Sequence, residues 1–374
     1  MNPESTKPLN TADSGNKPAG SLKQGNKSRI WLWVMLGLIY LVLIPLLFHN
    51  FNYILNVMAT ASVLGFISLG VWVTFSIGRI NIGQGAFALI GGYTTAILST
   101  RYGVSFWLCL PLSGIAAAVV GFLIGWPILR LRGVYFAMIT LSITEATRLA
   151  FQNGGEFTGG AFGILEIPRP EAISIGGFTI IPAFSGTNYL PYYYLAAALL
   201  ILGLIAVWRL WHSRLGWVFR SLRQNEDLAS SAGIYVAKYR VIAFVFCCFL
   251  GGIGGAFFVA LQKNIFPGTF QVTDSFSFML YCFLGGLDYV IGPLVGAFLL
   301  FISFEALHPI QKFQPLIYGL LMVAFILLLP NGIMSLASRT RRSKPAVGGG
   351  QNEAKAKSVS PIGPFPKRDK SSKG

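Results

Sequence analysis

Nine stretches of the chain, at 30–48, 53–77, 84–100, 105–129, 133–152, 191–211, 241–261, 290–307 and 315–336, are apolar for roughly 20 residues each, the length a helix needs to cross about 30 Å of hydrocarbon. Lipid offers no partner to backbone N–H and C=O groups, so runs of this length close their hydrogen bonds internally, as helices. Composition agrees, since 54% of the 374 residues are hydrophobic and only 11% are charged, against about 25% charged in soluble domains. That balance excludes a soluble enzyme and excludes disorder for the bulk of the chain. The expected fold class is an all-α polytopic membrane protein.

The charges set its topology. Residues 1–29 hold five basic against two acidic residues and residues 339–374 hold ten against two, a net +11 of the chain's +16. Basic tails around an apolar body point to cytoplasmic termini beside an anionic leaflet, not to nucleic acid. The tails are rich in Ser, Lys, Gly, Asn and Pro and are expected to be disordered. With a polar start and a first run long enough to span, 30–48 reads as a retained helix and not a cleaved signal.

Two cytoplasmic termini require an even number of crossings. The tenth is assigned to the short segment 275–287, SFSFMLYCFLGGL, which ends in a Gly pair. About ten crossings, one short or broken, thus fill a domain over 30–338. The cytoplasmic connections become those holding Arg79, Arg130 with Arg132, residues 212–240, and residues 285–291. The connection 153–190, with Glu156, Glu166 and Glu171 against Arg169, is expected outside.

No phosphate-binding G-x-x-x-x-G-K-[ST] loop, H-E-x-x-H or G-x-S-x-G occurs, so neither a catalytic residue nor a metal ligand is assigned. Cys109, Cys247, Cys248 and Cys282 lie in apolar runs without C-x-x-C spacing and read as buried packing residues. The glycine pairs 121/125, 251/255 and 292/296 have the spacing that lets membrane helices approach closely.

Three features could carry function. In GRINIGQGAFALIGGY, 78–93, Asn81 and Gln84 sit among glycines that include Gly83 and Gly85; irregular polar backbone at membrane depth lines a pathway or forms a tight turn. Glu145, the acid well inside a span, is either functional or a structural partner of Arg148 three residues on. Residues 216–233, GWVFRSLRQNEDLASSAG, place Val218, Leu222 and Leu228 against Arg220, Arg223, Glu226 and Asp227. They are expected to form one amphipathic helix on the membrane face, ended by Gly233 and able to dock on lipid or on a partner protein.

The stretches NIGQGAFALIGGYTTAIL (81–98), LRLRGVYFAMITLSITEATRL (129–149), SRLGWVFRSLRQNEDLASSAGI (213–234) and FLGGLDYVIGPLVGA (283–297) resemble permease subunits of ATP-binding-cassette importers for branched-chain amino acids, of the LivM type. The similarity runs from about 55 to 335 and ends in YGLLMVAFILLLPNGI. It implies a bacterial inner-membrane permease paired with a second, related permease. Two ATPase subunits would bind the cytoplasmic face, and an extracytoplasmic solute-binding protein would deliver cargo. This chain itself would bind no cofactor, ATP and Mg being used by the ATPases. The resemblance makes 212–240 the coupling loop, with Arg220, Arg223, Glu226, Asp227 and Gly233 against an ATPase groove. The translocation path would involve Asn81, Gly83, Gln84, Gly85, Thr140 and Glu145, with Gln84 standing where many relatives have His. Alternatives are a permease for urea or short amides, an ion-coupled secondary transporter, and a membrane-embedded enzyme such as a lipid-modifying transferase.

Overall fold

The computed structural model describes residues 37, 39–48, 51–175, 178–181, 184, 189–310, 312–328 and 332–334. Both tails, the start of the first apolar run and residues 335–338 lie outside the described residues. After a π-helical turn at Ile39–Leu43, the helices are α1 (Ile44–Phe48), α2 (Asn52–Phe75), α3 (Gln84–Arg101), α4 (Phe106–Ile128) and α5 (Val134–Gln152). A long connection then carries a hairpin of β1 (Ile173–Ile175) and antiparallel β2 (Phe178–Ile181). The chain continues through α6 (Leu190–His212), α7 (Arg214–Gln224), α8 (Glu226–Ser231), α9 (Val236–Gln262), α10 (Val272–Gly285), α11 (Gly292–Ala306) and α12 (Gln314–Leu328).

Among the described residues, α2, α4, α6 and α9 are long and apolar enough to cross a membrane outright, and shorter apolar helices follow at α10, α11 and within α12. The fold is that of an all-α polytopic membrane protein with one small hairpin. Helices α2 and α9 sit at its centre: α9 packs on α2, α3 and α4, while α2 also takes α6 and α11. In α2, 78% of the most apolar window is buried inside the protein, against 33% in α4. On α4, Leu112, Ile115, Val119, Phe122 and Leu123 face outward, as they would toward lipid.

Small residues make the central crossings possible. A Cβ at Gly255 would overlap the carbonyl oxygen of Ala88, and one at Gly91 would overlap Gly252, so α3 and α9 meet backbone to backbone. On α4, facing α9, Gly121 admits Cys248 and Gly125 admits the ring of Phe244.

Two ends can be distinguished by their contacts. One gathers Arg79, Arg132, Arg223, Arg240, Glu226 and Asp288. At the other, Arg101 donates to the Glu156 carbonyl, Trp107 Nε1 donates to the Glu171 carbonyl at 3.0 Å, and Ile164 bridges Ile265. The 14-residue α10 covers only about 21 Å at 1.5 Å per residue. It nevertheless links both ends, because Phe270 ahead of it packs on Phe258 near the end of α9, and the Leu287 carbonyl after it accepts Trp72 Nε1 at 3.0 Å. It stops at Gly286, whose φ of +110° excludes a further helical turn.

One expectation is corrected here. Residues 216–233 do not form a single helix but two, broken at Asn225, which adopts an extended backbone (φ −157°, ψ 112°). The Asn225 side chain accepts the N–H groups of Asp227 and Leu228, each at 3.1 Å, and so starts α8 as an N-cap. The break shifts the phase of the apolar face. Phe219, Leu222 and Ala229 are buried, whereas Leu228 is 69% exposed.

Candidate functional site

Between Phe75 and Gln84 the backbone leaves the helix and runs back into the bundle. Arg79 N–H closes the turn on the Thr74 carbonyl at 3.0 Å. From there 80–83 is non-helical, and Asn81 and Gln84 are wholly buried. Helix α3 therefore begins inside the protein: Gln84 Nε2 donates to the carbonyls of Ile67 in α2 and Cys247 in α9, at 3.1 and 3.2 Å. Both acceptors lie near the middle of their helices, which puts this irregular segment at mid-bundle depth. Such backbone is tolerated there only where protein supplies the partners.

The partners come from four helices. Asn81 Oδ1 accepts the Gly83 N–H at 2.9 Å, and its Nδ2 reaches Cys247 Sγ at 3.3 Å. The Cys247 thiol donates to Gln84 Oε1 at 2.9 Å. Thr140 Oγ1 accepts the Ile82 N–H at 3.1 Å, and Thr144 Oγ1 donates to the Ile82 carbonyl at 3.4 Å. Ser275 Oγ accepts the Gly85 N–H at 3.0 Å, satisfying one of the open donors at the start of α3. Glycine is required at 83 because a Cβ there would stand 2.9 Å from the Thr140 carbonyl oxygen, and at 85 because one would stand 2.5 Å from Ser275 Oγ.

The structure thus brings Asn81, Gly83, Gln84, Gly85 and Thr140 into one cluster and adds Thr144 and Ser275, which sequence reasoning passed over, and Cys247, which it read only as a buried packing residue. Their signal was weak, because lone hydroxyls and thiols in apolar runs are common. Glu145 is apart from the cluster. It follows Thr144 on α5 but is half-exposed where Thr144 is buried, and it binds Arg148 through three contacts of 2.6 to 3.0 Å. Arg148 also donates to Gln152 Oε1 at 2.8 Å.

The loop residues form a second site at the arginine-rich end. Glu226 lies 3.3 Å from Arg79, 3.3 Å from Arg132, and pairs with Arg240. Arg79 and Arg240 are buried, with 5% and 8% of their side chains exposed. Burial first, then the nearby Arg240, lowers the Arg79 guanidinium to about 10, against the pull of Glu226; it stays charged at neutral pH. Asp227 reaches Arg132 at 3.4 Å, and Arg223 reaches Asp288 at 3.1 Å. All four connections grouped by their charges therefore meet at one end.

Arg220 turns inward, between the rings of Trp211 and Trp217 at 4.6 and 4.4 Å, and donates to the Trp211 carbonyl at 2.9 Å. Of the five loop residues singled out, Asp227 and Gly233 are exposed while Arg220, Arg223 and Glu226 are half-buried. Gly233, at φ +85°, ends the loop by donating to Ser230, as expected of it. Three apolar side chains stand out among the exposed polar residues of the loop, Trp217, Leu228 and Tyr235, each about two-thirds exposed. Among the described residues, no group of His, Cys, Asp and Glu could hold a metal ion.

Residues 53–329 match the family described as branched-chain amino acid transport system, permease component. The chain is 34% identical over 273 residues to the high-affinity branched-chain amino acid transport system permease protein LivM of Salmonella typhimurium and, equally, of Escherichia coli. That match takes in 69% of this chain and 64% of each relative, so the chain spans about two thirds of the length of those proteins. It is 24% identical over 294 residues to the ribose import permease protein RbsC of Escherichia coli, covering 73% of this chain and 85% of that one. No solved structure matches it.

Proposed function

The chain belongs to the family of permease components of branched-chain amino acid transport systems, and from that premise we propose that it is the membrane-spanning subunit of an ATP-driven importer for branched-chain or other aliphatic amino acids. It works with a second, related permease, two ATPase subunits and a solute-binding protein outside. The arginine-rich end faces the cytoplasm of a bacterial cell, in keeping with the excess of Lys and Arg on cytoplasmic loops. The exposed side of the loop, which carries Trp217, Leu228 and Tyr235 together with Asp227, is the face that docks an ATPase.

One observation carries this reading. Glu226 of the loop holds Arg79, and Arg79 begins the segment that places Asn81 and Gln84 in the buried polar cluster. A shift of α7 and α8 is thereby delivered to the start of α3 within five residues of backbone. In the state described the cluster is closed, its polar groups paired with one another. ATP binding favours one arrangement of the loop and hydrolysis releases it, and the cluster opens or closes in step. Few fixed polar groups line the path, which leaves recognition of cargo largely to the binding protein.

The pairing of Glu145 with Arg148 argues against an ion-coupled transporter, which needs an intramembrane acid free to bind its ion. The test is uptake of labelled leucine, isoleucine and valine in a strain lacking this chain and complemented with it. Restored uptake that disappears when the partner ATPase cannot hydrolyse ATP supports the proposal. Restored uptake of urea or acetamide alone would replace it.

A further inference from the structure

At the end opposite the arginines, the first half of α2, the last turns of α9 and α11 and the first two turns of α10 line an open cavity of about 310 Å3. Small-ligand pockets begin at about this size and combine apolar walls with a few placed polar groups. The rings of Phe258, Phe270, Phe278 and Phe301 make the apolar wall, and Asp274 and Glu305 supply the charge. Both carboxylates are held in place. Asp274 accepts the Gln271 N–H at 2.7 Å as part of a capping box, and Glu305 accepts the Tyr53 hydroxyl at 2.5 Å. Neither meets a cation among the described residues, in contrast to Glu226 and Glu145.

Two carboxylates with no cation partner among the described residues, in a cavity lined by phenyl rings, suit one class of ligand, an ammonium group carried on an apolar chain. The carboxylates accept its charged hydrogen bonds, the faces of the rings attract the cation, and the same rings take the aliphatic part. An inorganic cation would instead call for a shell of oxygens, and a neutral sugar would gain nothing from the second carboxylate. The cavity also adjoins the proposed path. Asp274 lines it, while the next residue, Ser275, accepts the Gly85 N–H in the polar cluster, so the two share the first turn of α10.

The geometry points to this cavity as a binding site for the ammonium end of an aliphatic amino acid entering from the outer face, an inference that rests on the importer reading for its cargo. The site reads charge at one end of the molecule and excludes neutral cargo of similar size, such as urea, amides and sugars.

The test uses the full chain with its partner subunits in lipid nanodiscs and radiolabelled 3-methylbutylamine as the probe. The amine is expected to bind, leucine to displace it, and 4-methylpentanoate, which has the same carbon chain without nitrogen, to displace it at least 10-fold less well. Asp274→Asn with Glu305→Gln, which keeps both hydrogen-bond acceptors, should weaken amine binding by about 10-fold or more, the usual effect of losing charged hydrogen bonds. Equal displacement by the acid, or displacement by sodium but not by potassium, would overturn the site. So would absence of amine binding in a complex that still imports leucine. Amine binding without uptake of any aliphatic amino acid would instead remove the importer reading and leave the site standing.

Discussion

Glu226 and Arg79, 147 residues apart in sequence, meet at 3.3 Å with the arginine almost wholly buried. The same carboxylate binds Arg240 and approaches Arg132, so three cations from three connections share one half-buried acid. Breaking a buried ion pair costs more than the pair contributes, because the remaining charge is left desolvated. Glu226 is therefore the residue on which the geometry of this end depends.

Replacing Glu226 by Gln leaves three guanidinium groups without their shared anion and should destabilise the protein by about 3 kcal/mol. A thermal-shift series of E226Q, R79Q and the double variant checks this. The double variant should lose clearly less than the sum of the two single losses, whereas additive losses would mean that the two residues are not coupled.

Glu145 and Arg148 should behave as a structural pair. Either single change, Glu145→Gln or Arg148→Gln, leaves a lone charge on a membrane helix and should lower the amount of folded protein. The double change should restore it, with leucine uptake per folded molecule unchanged. Loss of uptake in the well-folded double variant would place Glu145 in the path.

Helix contacts at the centre predict a sharp contrast between glycines. Gly255→Val puts side-chain carbon into the Ala88 backbone and should abolish folded protein, as judged by size-exclusion chromatography in detergent. Gly319→Ala, where nothing lies within 4 Å, should be silent.

Thiol access tests the packing throughout. All four cysteines are free and buried, so N-ethylmaleimide should label little of the native protein and all four thiols after denaturation in dodecyl sulfate. Brisk labelling of the native form at Cys247 would show that the polar cluster opens to solvent.

Sequence periodicity located the helices well because burial in lipid writes itself into every residue of a span. The run expected at 53–77 is a helix at Asn52–Phe75, and that at 191–211 is one at Leu190–His212. The short tenth run, expected at 275–287, is the helix Val272–Gly285. Local pairs were legible too, since Glu145 and Arg148 share one helix face. What could not be read was set by distance or by a single cap. Asn225 splits the loop helix through two hydrogen bonds of its side chain, against an amphipathic pattern that continues across it. The triple pairing of Glu226, the bond from Gly85 to Ser275 and the cavity of Asp274 and Glu305 join residues that only tertiary packing brings together.

Sidedness follows from the same arrangement. Phe162, 84% exposed in the connection 153–189, and Leu228, 69% exposed on α8, belong to opposite ends. Each replaced by Cys, a membrane-impermeant maleimide applied to intact spheroplasts should label residue 162 and spare residue 228; the reverse pattern would invert the proposed orientation.

The most direct measurement is the number of leucine molecules imported per ATP hydrolysed, in proteoliposomes holding the assembled importer with Glu226→Gln. If Glu226 passes loop movement through Arg79 to the buried cluster, hydrolysis should continue while import per ATP falls by about 10-fold, the order expected when a charged hydrogen bond is lost. An unchanged ratio in a well-folded variant would contradict the account.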